Sequence, residues 1–126
     1  CGMNDMRQIQ EKAEAGDERA ILALDMFCYR VRKYIGAYRA AINKTDAIVF
    51  TGGIGENSAL VRERTCSGLD SLGVTLDSQK NNTVAGRISE IQKDGAAIKV
   101  MVIATDEELE IAGQTIETIK TMRHTA

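Results

Sequence analysis

From Ile21 the apolar positions run on through Leu24, Cys28, Val31, Ile35, Tyr38 and Ile42, at alternating spacings of three and four. One face of a 3.6-residue helix repeats in this way, which predicts a long helix from Asp17 to Asn43. Ala20, Phe27, Tyr34 and Ala41 recur at every seventh position beside this seam and widen it. A widened stripe of about three heptads predicts a helix packed on a sheet rather than a two-stranded coiled coil. Ahead of it, Asn4 or Asp5 can cap a short helix that ends at Gly16, and Asp17 restarts the chain as a helix.

The pattern then changes. Ala47-Ile48-Val49-Phe50 has no polar alternation, as expected of a strand covered on both faces in a parallel sheet. It runs into Thr51-Gly52-Gly53-Ile54-Gly55-Glu56-Asn57-Ser58, and a helix is expected to follow to about Leu72, where Gly73 stops it. Val74-Thr75-Leu76 is a candidate short strand. Residues 77–95 are polar, poorly periodic and rich in Asn, a composition that predicts a surface excursion. Ile98–Ile103 is the second clear strand. Thr105 and Glu108 stand at capping-box spacing before a helix whose apolar positions are Leu109, Ala112, Ile116 and Ile119. Strands alternating with helices predict an α/β layer with parallel strands and right-handed crossovers. Two firm strands make a very small sheet, so further strands are expected upstream of Cys1, where the chain begins without an initiator methionine.

Composition narrows the function. In 126 residues, 16 Lys and Arg face 18 Asp and Glu, a net charge of -2, which argues against a general nucleic-acid or anionic-membrane binder. No apolar run approaches the ~20 residues of a membrane span, and no signal-peptide pattern opens the chain, so a cytoplasmic protein is expected. Cys1, Cys28 and Cys66 are odd in number and lack C-x-x-C spacing, and His124 is the lone histidine. Neither a disulfide framework nor a zinc site is indicated; Cys28 and Cys66 read as core residues and His124 as an exposed one.

The segment Gly52–Asn57 carries the first candidate chemistry. Three glycines in four positions follow an apolar strand and precede a helix N-terminus, where bare backbone and unsatisfied N–H groups suit an anionic or polar ligand. No Lys follows, so this is not the P-loop; the G-x-G-x-x-G fingerprint is nearly met, with Ser58 at the third glycine and Asp77 the acidic residue for a ribose. In the acidic cluster Asp106-Glu107-Glu108, Glu108 has a capping task and Glu107 is left to reach a hard cation from the same sheet edge. Arg7 reads as an exposed cation, and Tyr29, Tyr34 and Tyr38 as core or interface.

Taken together, Asn4-Asp5-Met6-Arg7, Tyr34-Ile35-Gly36-Ala37-Tyr38, Asp46 to Ser58 with Val61-Arg62-Glu63, and Val102 to Leu109 resemble the carboxyl-terminal part of an acetate kinase, in the acetate and sugar kinase, Hsp70 and actin superfamily. The resemblance covers almost the whole chain. It implies an α/β fold: part of a ribonuclease H-like (actin-like ATPase) domain, helices packed on a small, mainly parallel sheet. Residues 1–126 would be the later part of the second, nucleotide-binding domain, with the 106–126 helix packing on the first. It further implies reversible phosphoryl transfer between ATP and acetate, giving ADP and acetyl phosphate, with Mg²⁺ (or Mn²⁺) and a homodimer. Asp5, Met6 and Arg7 together with Gly53, Ile54, Gly55, Glu56 and Asn57 would bind ATP at its adenosine end, and Glu107 would serve magnesium.

Two features depart from the family pattern. Many members read Ile-Pro-Thr-Asn-Glu-Glu where this chain has Ile103-Ala104-Thr105-Asp106-Glu107-Glu108. The family's catalytic arginines, its transition-state histidine and its acetate pocket belong to segments before Cys1, so these residues alone are expected to show no kinase turnover. A propionate or butyrate kinase is the alternative within the class, and a Rossmann-like dinucleotide-binding module the alternative outside it.

Overall fold

Asp17 accepts the backbone N–H groups of Arg19 and Ala20 at 2.9 and 3.0 Å and so starts the longest helix, as its sequence position predicts. The computed structural model describes residues 1–124, without the side chains of Arg123 and His124. The reading of His124 as exposed and the last two positions of the 106–126 helix therefore lie outside the described residues. The helices are α1 (Met6–Glu14), α2 (Glu18–Ile42), α3 (Gly52–Asn57), α4 (Ala59–Cys66), α5 (Ser78–Asn82) and α6 (Glu107–His124); the strands are β1 (Ala47–Phe50), β2 (Ile88–Glu90) and β3 (Lys99–Ile103). A single 3₁₀ turn, Asp70–Leu72, follows α4.

The sheet has the order β1-β3-β2. β1 and β3 are parallel, with Ile48 beside Val100 and Phe50 beside Val102, while β2 runs antiparallel to β3. The sheet is therefore mixed, and this corrects the expectation of a mainly parallel one. β2 comes from the 77–95 stretch read as a surface excursion, as does α5. That stretch is anchored by Ile91, which is completely buried, and by Asn81, 1% exposed. Single buried residues set among polar ones leave no periodic signal, which is why sequence pattern passes over them. Val74–Leu76 makes only an isolated bridge, Leu76 to Gln92.

Two apolar clusters fill the interior. One lies on the sheet and includes Phe50, Leu69, Val74, Ile91, Val100 and Val102. The other joins Ile9 of α1 and Ala20, Leu24 and Cys28 of α2 to Val61. Helix α4 links them, because its Val61 belongs to the helical cluster and its Cys66 to the sheet cluster. Burial pushes the Cys66 thiol up to about 12, so it is a neutral core group at physiological pH.

Helix α2 packs on α1 and α4 rather than on the sheet, correcting the sequence expectation; only Ile35 of its seam reaches the sheet cluster. The physical reason is that Ile9 of α1 and Val61 of α4 close over Ala20, Leu24 and Cys28, the buried part of the seam; both covering helices are shorter than half of α2, and Tyr38 and Ile42 near its far end are exposed. β1 likewise has only one covered face: Phe50 is buried and Val49 is 48% exposed. The helix expected to run on to Leu72 is broken twice. Ser58 is extended and caps α4 by accepting the Val61 N–H at 3.1 Å, and α4 stops at Cys66 ahead of Gly68 at φ +77°. The Thr105–Glu108 capping box does not form. Asp106 instead accepts the Leu109 N–H at 3.1 Å, and Thr105 turns elsewhere. Among the described residues, no helix is long and apolar enough to cross a membrane.

Candidate functional site: the groove between the α1 start and the glycine helix

Asp5 organises one wall. Its carboxylate accepts the Arg7 N–H at 2.9 Å, capping α1, and also receives the Arg7 guanidinium, Nη2 at 2.7 Å and Nε at 3.2 Å. The guanidinium holds the Asp5 carboxyl below its ordinary value, and Asp5 raises that of Arg7 in return. This fork turns an otherwise free side chain back over the helix start, presenting a planar cation at the rim of the groove.

The facing wall is the glycine segment. It is itself a short helix, α3, entered through Gly52 at φ +70°, a backbone state suited to glycine. Asn57 Nδ2 donates to the Gly53 carbonyl at 2.9 Å and closes the helix on itself. Gly53 has nothing within 4 Å of where a Cβ would lie, so its backbone is bare toward the groove. Gly55 is different: a Cβ there would meet the Phe50 backbone carbon at 3.2 Å, so its hydrogen lets α3 lie on the end of β1.

Between the walls is a groove of about 590 Å³. Asp5, Met6, Arg7, Gly53, Ile54 and Asn57 line it, so six of the eight residues given an adenosine role by resemblance are brought to one place. Gly55 and Glu56 lie behind it. Asn4, Gln10 and Ser58 also line it and were not anticipated. The available signal for Gln10 was its place three residues after Arg7, on the same helix face. Ser58 Oγ donates to Gln10 Oε1 at 2.6 Å and ties the two walls together across the floor.

Behind α3 the polar groups are used within the chain. Glu56 Oε1 accepts three bonds of 2.8 Å, from the Gly52 N–H, the Thr105 N–H and the Thr105 hydroxyl. Those donors, the Thr105 backbone foremost, hold the Glu56 carboxyl below its usual range. Arg62, 2% exposed, donates to the carbonyls of Gly55 and Glu56 at 2.9 Å each, and to Oδ1 and the backbone oxygen of Asn81 at 2.7 Å each. Burial pulls its guanidinium below the ordinary value, yet every bond suits its forked geometry. Asp77, the ribose candidate of the dinucleotide alternative, instead caps α5 by accepting the Lys80 N–H at 2.9 Å.

The acidic start of α6 adjoins this assembly through Thr105. Asp106 is occupied by its cap bond and by Arg87 Nη2 at 3.0 Å. The Glu107 side chain is exposed and makes no hydrogen bond or ion pair among the described residues, where no group of three or more metal-ligating side chains occurs. A single hard oxygen donor of this kind fits Mg²⁺, which keeps its waters and relies on one or two carboxylates plus substrate phosphates. Ala104 and Asp106, which stand where many members have Pro and Asn, both meet Arg87. Its carbonyl accepts the Ala104 N–H at 2.9 Å, a bond a proline could not donate, and its guanidinium pairs with Asp106.

Residues 1–113 match the profile of the acetokinase family. The chain belongs to that family. Acetate kinases of Syntrophobacter fumaroxidans and Lawsonia intracellularis are 58% and 52% identical over 95% and 94% of the chain. It spans only 29% and 30% of their lengths, respectively. A crystal structure of Porphyromonas gingivalis acetate kinase superposes on 91% of the chain at a TM-score of 0.82 and 41% identity, the match covering 29% of that chain. A propionate kinase structure from Francisella tularensis gives 0.80 and 46% over 89% of the chain and 28% of its own. Acetokinase membership carries the actin-like ATPase fold with it, and displaces the Rossmann-like alternative.

Proposed function

We propose that this chain supplies the nucleotide side of an ATP-dependent acetate kinase, with the adenosine of ATP or ADP in the groove between α1 and α3. The observation carrying the reading is that Asp5, Met6 and Arg7 of one segment and Gly53, Ile54 and Asn57 of another, far apart in sequence, line one groove of nucleoside size. The planar Arg7 guanidinium suits the face of a base, bare backbone at Gly53 leaves room for base and sugar, and Gln10 and Asn57 offer neutral hydrogen-bonding groups. Asp5 and Arg7 neutralise each other, so the groove suits the uncharged end of a nucleotide, with its phosphates directed toward the rest of the kinase. Glu107 would hold Mg²⁺. When bound, the ion neutralises charge on the transferring phosphates. The remaining catalytic groups, the acyl pocket, the homodimer contact and the surface that receives α6 belong, on this reading, to parts of the enzyme beyond these residues. A cytoplasmic setting goes with it.

Calorimetric titration with ADP tests the proposal. Binding should fall at least tenfold in Arg7→Ala and in Gly53→Ala, with NADH binding no better than ADP; wild-type affinity in both variants would refute it. Joined to the remaining segments of such a kinase, the chain should form acetyl phosphate, trapped as the hydroxamate, and alone it should not turn over. A propionate acceptor is the second reading, supported by the 46% identity to the Francisella propionate kinase. Relative rates with acetate and propionate in the joined enzyme distinguish the two.

A further inference from the structure

Glu56 stands where a ligand contact was expected, yet it does not line the groove. One carboxylate oxygen instead gathers three donors from two separate connections: Gly52, at the entry to α3, and Thr105, just before α6. We propose that Glu56 is a positioning residue that locks the nucleotide-facing helix α3 to the acidic entry of α6, so that occupation of the groove fixes the carboxylate of Glu107. The inference rests on the nucleotide reading of the groove.

Three observations support the lock. The bonds are charge-assisted and 2.8 Å long, the strong class, and they hold the Glu56 carboxyl below its usual range. Arg62 grips the same segment from behind through the Gly55 and Glu56 carbonyls, so α3 cannot shift without carrying the carboxylate with it. On its other side the α6 entry is held by Arg87, through Ala104 and Asp106. Thr105 is thus the point at which the groove side reaches an otherwise separately tethered helix start.

Amide hydrogen exchange on the 126-residue chain, with and without ADP, tests the lock. ADP should slow exchange at the Thr105 amide, which is outside the groove. Glu56→Gln, which keeps the acceptor but loses the charge, should speed exchange at both Gly52 and Thr105, weaken ADP about threefold to tenfold and abolish the ADP effect at Thr105. Arg87→Ala removes the guanidinium contact to Asp106 and keeps the backbone bond to Ala104; it should speed exchange at Leu109, whose N–H Asp106 caps, and leave ADP affinity within twofold, separating the lock from general loosening of α6. Unchanged Gly52 and Thr105 exchange in Glu56→Gln would overturn the lock whether or not ADP binds. ADP binding to the wild-type chain with no change at Thr105 would also overturn it. Failure of the wild-type chain to bind ADP refutes the nucleotide reading, and with it the coupling to Glu107.

Discussion

Gly53 and Gly55 are two positions apart and serve opposite needs. Neither has a positive φ, so the difference lies in what surrounds the missing Cβ: open groove at Gly53, the Phe50 backbone at 3.2 Å at Gly55. Gly53→Ala should therefore leave stability unchanged or raise it by about 0.5–1 kcal/mol, since alanine is the better helix residue, while ADP affinity falls. Gly55→Ala should lower stability by about 1–3 kcal/mol, because α3 must move off β1. Urea unfolding of the two variants, set beside their ADP titrations, reads both effects; equal stability losses would contradict the assignment. The motif was plain in the sequence as a run of glycines. Which glycine faces a ligand and which faces its own chain depends on how α3 lies on β1, and spacing does not encode that.

At the scale of elements, the joints are polar. Arg62 connects α4 to α3 and α5 through four acceptors and no carboxylate. Replacing it with methionine retains much of the volume but leaves the Gly55 and Glu56 carbonyls and both Asn81 oxygens without their donor. Arg62→Met should therefore cost about 3 kcal/mol or more, seen as a lower urea midpoint with an unchanged slope. A loss below about 1 kcal/mol would mean that water takes over the role. Helices α1 and α2, with the Asp5 and Asp17 caps, are legible in the chain because capping and 3.6-residue periodicity are local. α5 and β2 were not legible: their anchors Asn81 and Ile91 gain meaning only against the surfaces of α4 and β3. The same holds for the α6 cap. Thr105 and Glu108 have capping-box spacing, but Glu56 draws Thr105 away, and the cap passes to Asp106.

At the scale of the whole molecule, unmatched apolar surface dominates. Leu109, Ile111, Ile116, Ile119 and Met122 of α6 are exposed, as are Met26, Tyr34 and Tyr38 of α2 and Val49 of β1, itself an edge strand. Surface of this extent normally meets another partner, whether the rest of a larger enzyme or another copy. Sedimentation of the 126-residue chain should show concentration-dependent association, reduced in the Leu109→Glu, Ile116→Glu double variant. A compact monomer at every concentration would show that these faces need no partner.

The sequence by itself determined the family, the long capped helix, the two principal strands and the candidate groove residues, because caps, periodicity and a dense glycine motif are properties of neighbouring positions. Only the tertiary structure decided that the sheet is mixed, that Gly55 and Glu56 lie behind the groove and that Gln10 and Ser58 close its floor. Those outcomes depend on which donors and acceptors meet across segments distant in the chain, and such meetings follow from packing.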